Sequence, residues 1–107
     1  MAFYIKQNDT SPSLQATLTD ASGTAINLTG ASVRLHMKAV GAFTLKVDEA
    51  MTISDATGGV VVYDWQGGDT DTFGTYNIEF EVTYSDSSVE TFPNSGSETV
   101  IISKELG

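Results

Sequence analysis

A single histidine, His36, stands in a chain of 107 residues that contains no cysteine. One imidazole and no thiol exclude, within one chain, a His-based metal site, a thiolate metal site, a disulfide and a cysteine nucleophile. His36 lies on the polar side of the run Val33-Arg34-Leu35-His36-Met37-Lys38, where it reads as a solvent-facing side chain. Its alternative role, general base, needs a nucleophile, and the chain has no Gly-x-Ser-x-Gly elbow to supply one. No catalytic residue is therefore expected.

Carboxylates are the next source of chemistry. Asp69-Thr70-Asp71 follows Gly67-Gly68 and offers oxygen at alternate positions, which is what calcium takes. The twelve-residue loop with a terminal Glu is missing, and turn-forming aspartates account for the same letters, so no metal is expected. Glu79 and Glu81 share one face of a strand pattern, roughly 7 Å apart by strand geometry. A glycosidase pair needs one of them in an apolar pocket with a raised pKa, and two exposed strand positions provide none. Gly67-Gly68 is no phosphate loop, because no helix follows to present an N-terminus. No cofactor is expected.

Two further groups bear on binding. Tyr63 and Trp65 precede the glycine loop and could stack on a sugar ring, although core aromatics on an inward strand face give the same pattern. Arg34, His36 and Lys38 put much of the scarce positive charge on one strand face. Cross-strand pairing with acidic neighbours is the plain account and contributes a few tenths of a kcal/mol per pair. The sharper account is a docking stripe for an acidic partner.

These residues must be positioned by strands. Tyr76, Ile78, Phe80, Val82 and Tyr84 alternate with Asn77, Glu79, Glu81 and Thr83, and a period of two over such a length is a half-buried strand. Val33–Met37 and Leu14–Leu18 alternate in the same way. Weaker strands are expected at Phe43–Val47, Val60–Trp65, Ser88–Phe92 and Thr99–Ser103, with Phe3–Lys6 pairing at an edge. Turns are expected at Asp20–Gly23, Asp55–Gly59, Gln66–Asp69, Tyr84–Ser88 and Pro93–Gly96. Asp48–Thr52 has room for one helical turn, and no longer amphipathic helix fits anywhere. About seven or eight short strands so spaced indicate an all-β sandwich or small barrel. Tyr76 opens the longest strand after Asp71-Thr72-Phe73-Gly74-Thr75, where a tyrosine corner places its hydroxyl, and this favours an immunoglobulin-like antiparallel β-sandwich.

Composition sets the outer bounds. Fourteen acidic against five basic side chains give a net charge of −9. Nucleic acid and anionic membrane both need a basic footprint, so neither is an expected partner. No run approaches the ~20 apolar residues of a membrane helix, and Met1–Lys6 has no signal-peptide pattern. The expected site of synthesis is the cytoplasm of the producing cell, and the sequons at Asn8 and Asn27 are then chance matches. The length fits one domain, residues 1–107, with 1–10 as an N-terminal arm or edge strand.

Several segments together resemble a known family. They are Ile5-Lys6-Gln7-Asn8-Asp9-Thr10-Ser11-Pro12, Asn27-Leu28-Thr29-Gly30-Ala31-Ser32-Val33-Arg34, Gly59-Val60-Val61-Val62-Tyr63-Asp64-Trp65 and Gly68-Asp69-Thr70-Asp71-Thr72-Phe73-Gly74-Thr75-Tyr76. They look like the immunoglobulin-like N-terminal domain of phage upper-baseplate proteins. The resemblance runs from about Phe3 to Ile102 and implies a virion structural protein, with no catalytic residues to carry over. Such a domain packs against other virion subunits while later domains carry receptor-binding parts. With the sequence ending at Gly107, the expectation is a stand-alone decoration, head-to-tail or tail accessory protein.

The expected function is thus a non-enzymatic virion protein that docks onto capsid, neck or tail subunits, with a homo-oligomer in the particle also open to it. Contact residues are sought in the arm, at Phe3, Tyr4 and Ile5, and in the stripe Arg34, His36 and Lys38. The alternative is a carbohydrate- or cell-surface-binding module with Tyr63 and Trp65 as its stacking platform.

Overall fold

The computed structural model describes residues 2–106. Met1 and Gly107, which the expected arm and domain bounds include, lie outside the described residues. The described residues form nine strands: β1 (Ala2–Lys6), β2 (Leu14–Thr17), β3 (Ser32–Ala39), β4 (Val47–Ala50), β5 (Thr52–Asp55), β6 (Val60–Tyr63), β7 (Gly74–Thr83), β8 (Val89–Phe92) and β9 (Glu98–Ser103). Among the described residues there is no helix.

Six strands make one sheet in the order β1-β9-β7-β3-β4, with β8 also on β7, and three make a second in the order β2-β6-β5. β9 pairs with Gly74–Ile78 of β7 and β8 with Phe80–Thr83, so the two follow one another along one edge of that strand. All pairs are antiparallel except β1 with β9, which run parallel. This is an immunoglobulin-like β-sandwich, with β4 added beyond β3 as in variable-type domains.

The alternation seen in the sequence decides what each sheet buries, because successive strand side chains point to opposite faces. Val33, Leu35 and Met37 of β3 face inward beside Tyr76, Ile78, Phe80 and Val82 of β7, all at most 3% exposed. Leu14, Val61 and Tyr63 meet them from the smaller sheet, also at most 3% exposed. Each such side chain, fully buried, contributes about 1.5–3 kcal/mol relative to exposure. The tyrosine corner is present: the Tyr76 hydroxyl donates to the Thr72 carbonyl at 2.7 Å.

Two local expectations are corrected. The strand expected at Phe43–Val47 begins at Val47, and Phe43 is fully exposed in the preceding loop. The register explains this: Met37 pairs with Val47, so residues 40–46 must bridge the hairpin beyond the end of β3. The helical turn expected at Asp48–Thr52 is extended chain instead. Arg34 opposite Ala50 binds both the carboxylate and the carbonyl of Asp48, and the Met51 amide donates to Val33, so pairing to β3 overrides local preference. Past Met51 the chain crosses to the other sheet as β5, a strand the sequence reading did not contain.

Candidate docking surface

β3 turns Arg34, His36 and Lys38 to the outer face of the larger sheet, as their alternation with Val33, Leu35 and Met37 requires. Two of the three are engaged by one carboxylate. Asp48 on β4 accepts from Arg34 Nε at 2.9 Å and lies 3.2 Å from His36 Nε2, and Arg34 Nη2 donates to the Asp48 carbonyl at 2.7 Å. The hydrogen bond from Arg34 is the main reason the Asp48 carboxyl sits below its ordinary value, despite some desolvation. On the other side β7 places Glu81 opposite Arg34 and Glu79 opposite His36. Lys38 faces Asn77 and, among the described residues, makes no ion pair. Cross-strand pairing thus absorbs Arg34 and His36, while Lys38 keeps its charge toward solvent.

The arm residues separate in the same way. Phe3, Tyr4 and Ile5 are strand β1, paired in register with Val100, Ile101 and Ile102. Ile5 is 5% exposed and Phe3 packs against the core with its ring 5.9 Å from that of Trp65. Of the two alternatives for the N-terminal segment, arm or edge strand, Ala2–Lys6 takes the second: alternation buries Ile5, packs half-buried Phe3 against the core and sends Tyr4, 66% exposed, outward. Tyr4 heads a row across the sheet through Ile101 and Thr75, and the Val40 amide donates to the Thr75 carbonyl at 3.1 Å. Val40 is also largely exposed. Tyr4 and Val40 thus bracket the outer face at one end of the strands, with Lys38 one register step away.

Tyr63 and Trp65 are core residues, 3% and 4% exposed. Their rings meet edge to face at 5.4 Å, the Trp65 Nε1 donates to the Pro12 carbonyl at 3.1 Å, and the Tyr63 hydroxyl donates to Asp69. Neither ring offers a free face to a sugar, which corrects the stacking platform. Burial, together with the Asp69 carboxylate accepting its hydrogen bond, pushes the Tyr63 hydroxyl well above its ordinary value.

The loop Asp69-Thr70-Asp71 is held by its own bonds. Asp69 also accepts from the Gln66 amide, Asp71 pairs with Lys46, and buried Thr70 donates to the Asp9 carbonyl at 2.8 Å. Among the described residues no three His, Cys, Asp or Glu side chains converge on one point. Glu79 and Glu81 are half-buried on the outer face, beside cations and not in an apolar pocket.

The sequence reading missed Val40 and the exposed loop aromatics Phe43 and Phe73, the latter 5.8 Å from the Lys104 ammonium. Phe43 carried a false strand signal, and exposure of a lone apolar residue has no sequence signature. A second missed feature is a groove between the sheets beside β2, lined by Leu14, Ala16, Phe3, Phe80 and Phe92 among others.

No curated protein matches this chain. Residues 2–93, which run from β1 through β8, match the family model of the BppU N-terminal domain. With a described fold of the expected sandwich type and a match over most of its length, the chain belongs to the BppU N-terminal domain family, a structural domain of the phage baseplate.

Proposed function

We propose that this chain is a non-enzymatic structural component of a phage particle, made in the host cytoplasm, that docks onto other virion subunits. Membership of a baseplate domain family is the observation that carries the reading. His36, Asp69 and Asp71 support it, since each is engaged in holding the fold: His36 by Asp48, Asp69 by Tyr63, Asp71 by Lys46. The outer face of the larger sheet is the proposed contact, with Tyr4 and Lys38 as its available groups and Arg34 and His36 as the stripe held by Asp48. The partner subunit belongs to the capsid, neck or tail, and repetition around a symmetric particle lets modest single contacts add up.

The test is quantitative mass spectrometry of purified particles from the source phage. A fixed copy number per virion, in step with a symmetric ring or lattice, is the expected result. Absence from particles would overturn the reading.

A further inference from the structure

The first strand of this chain does not pair with the second. β1 joins β9 in the larger sheet, which leaves β2 at the edge of the smaller one with β6 as its partner. The Leu18 amide donates to the Gly59 carbonyl, in the same register that sets Ala16 opposite Val61 and Leu14 opposite Tyr63. In an antiparallel pair, residues that exchange hydrogen bonds alternate with residues that do not. Leu14 and Ala16 therefore spend their backbone groups on β6, and Gln15 and Thr17 turn theirs outward. Among the described residues no backbone group meets them.

Beside that edge lies a groove of about 470 Å³ between the sheets. Leu14, Ala16 and Leu18 wall one side, and Phe3, Phe80 and Phe92 the other. Exposed edges template unwanted pairing, and proteins blunt them with charge, proline or bulges. The other edges here are blunted: Lys6 on β1, Asp48 and Glu49 on β4, Glu90 on β8, and on β5 both Asp55 and a register shift after Ile53. β2, Leu14-Gln15-Ala16-Thr17, has no charge, no proline and no bulge. A bare edge and an apolar trough side by side are the two halves of a strand-addition site, where main-chain bonds supply affinity and alternate side chains fill pockets.

We propose that the free edge of β2 accepts an extended segment of a partner virion subunit as a fourth strand. Apolar side chains at every second position of that segment enter the groove. Lysine or arginine stands at the intervening positions, matched to the net charge of −9. A second copy of this chain is disfavoured as occupant by the repulsion between two such charges. The inference rests on the virion reading above and adds a second contact, on the smaller sheet, to the outer face of the larger one.

Hydrogen–deuterium exchange of the protein, free and in purified particles, tests it without any variant. The expected result is at least a tenfold slowing across Leu14–Leu18 in particles. Unchanged exchange there, in particles that contain the chain, overturns the strand-addition site and leaves the virion reading standing. Absence of the chain from particles overturns both. The same slowing in the isolated protein at high concentration identifies a second copy as occupant and overturns the proposal. Thr17→Pro supplies the functional counterpart, because it removes an amide that β6 does not use. Unaltered melting with a tenfold drop in copies per particle is expected, and full incorporation of the folded variant overturns the site.

Discussion

The Tyr76 hydroxyl donates a 2.7 Å hydrogen bond to the carbonyl of Thr72, four residues upstream and across the turn into the longest strand. The ring is 2% exposed, so this bond satisfies a polar group that would otherwise be buried alone. It also fixes the path by which the chain leaves Asp71, which pairs with Lys46, and enters β7. Tyr76→Phe keeps the ring and deletes the bond. The expected loss is about 0.5–1.5 kcal/mol, or a drop of a few degrees in melting temperature for a domain of this size. Calorimetry of the two proteins measures it, and identical melting temperatures would show the corner to be decorative.

How much of this was legible beforehand depended on whether a residue's role was decided locally. The inward faces of β3 and β7 could be read because alternation is a property of the strand itself, and Val33, Leu35, Met37, Ile78, Phe80 and Val82 all face the core. The tyrosine corner was legible because position and residue type coincide. Phe43 was misread because its fate depends on where Met37 runs out of partners, a matter of register between strands. Asp48–Thr52 was misread for a similar reason, since Arg34, fourteen residues earlier than Asp48, holds that segment extended. Of the proposed contacts, Tyr4 and Lys38 remained outside, while Ile5, Tyr63 and Trp65 proved to be core. An apolar strand residue and an apolar contact residue share the same letter, and only the pairing of β1 with β9 separates them.

Gly59 and Gly23 make a matched pair of tests. Both have left-handed backbone, φ +69° and +86°, where an added Cβ costs about 1–2 kcal/mol. At Gly23 a Cβ meets nothing within 4 Å, whereas at Gly59 it lies 2.7 Å from the Leu18 carbonyl and 2.9 Å from that of Ile26. The Leu18 carbonyl already accepts from the Ile26 amide, and the Leu18 amide donates to the Gly59 carbonyl, so the backbone there cannot yield freely. Gly59→Ala is expected to destabilise clearly more than Gly23→Ala in urea titrations. Equal losses would mean that the close approach is relieved at no cost.

Stability should fall at both ends of the pH scale, and more steeply at the alkaline end. Burial raises the hydroxyls of Tyr63, Tyr76 and Tyr84 above the ordinary 10.0, and Tyr84, which also donates to Glu90, is pushed up to about 12. Above that ordinary value the unfolded chain releases these protons while the folded one retains them. Folding is then opposed increasingly as pH rises. Hydrogen bonds from Arg34 and Lys46 lower Asp48 and Asp71 below the ordinary 3.8, so their contribution is present above it and lost as pH falls. Those carboxylates are exposed and screened, which keeps the acid limb shallow. Urea midpoints should hold level from about pH 5 to 9 and drop beyond about pH 10. A midpoint that stays level up to pH 12 would contradict the tyrosine argument.

The proposed contact face predicts a separation between stability and incorporation. Tyr4 and Lys38 lie on the outer side of β1 and β3, outside the core. Tyr4→Ser and Lys38→Glu should each change stability by less than about 0.5 kcal/mol, because neither opens a cavity nor strands a buried group. Ile5→Ser, one residue along the same strand, should cost several kcal/mol, since it removes a core side chain and buries a hydroxyl. Incorporation into particles should reverse that ranking when compared among folded variants: the two surface changes together lower copy number, and Phe43→Ser, a fully exposed change on the β3–β4 loop, leaves it alone. If the Tyr4 and Lys38 double variant enters particles at the normal level, the outer face is free in the virion. Docking would then have to proceed through the edge of β2, whose amides report it independently.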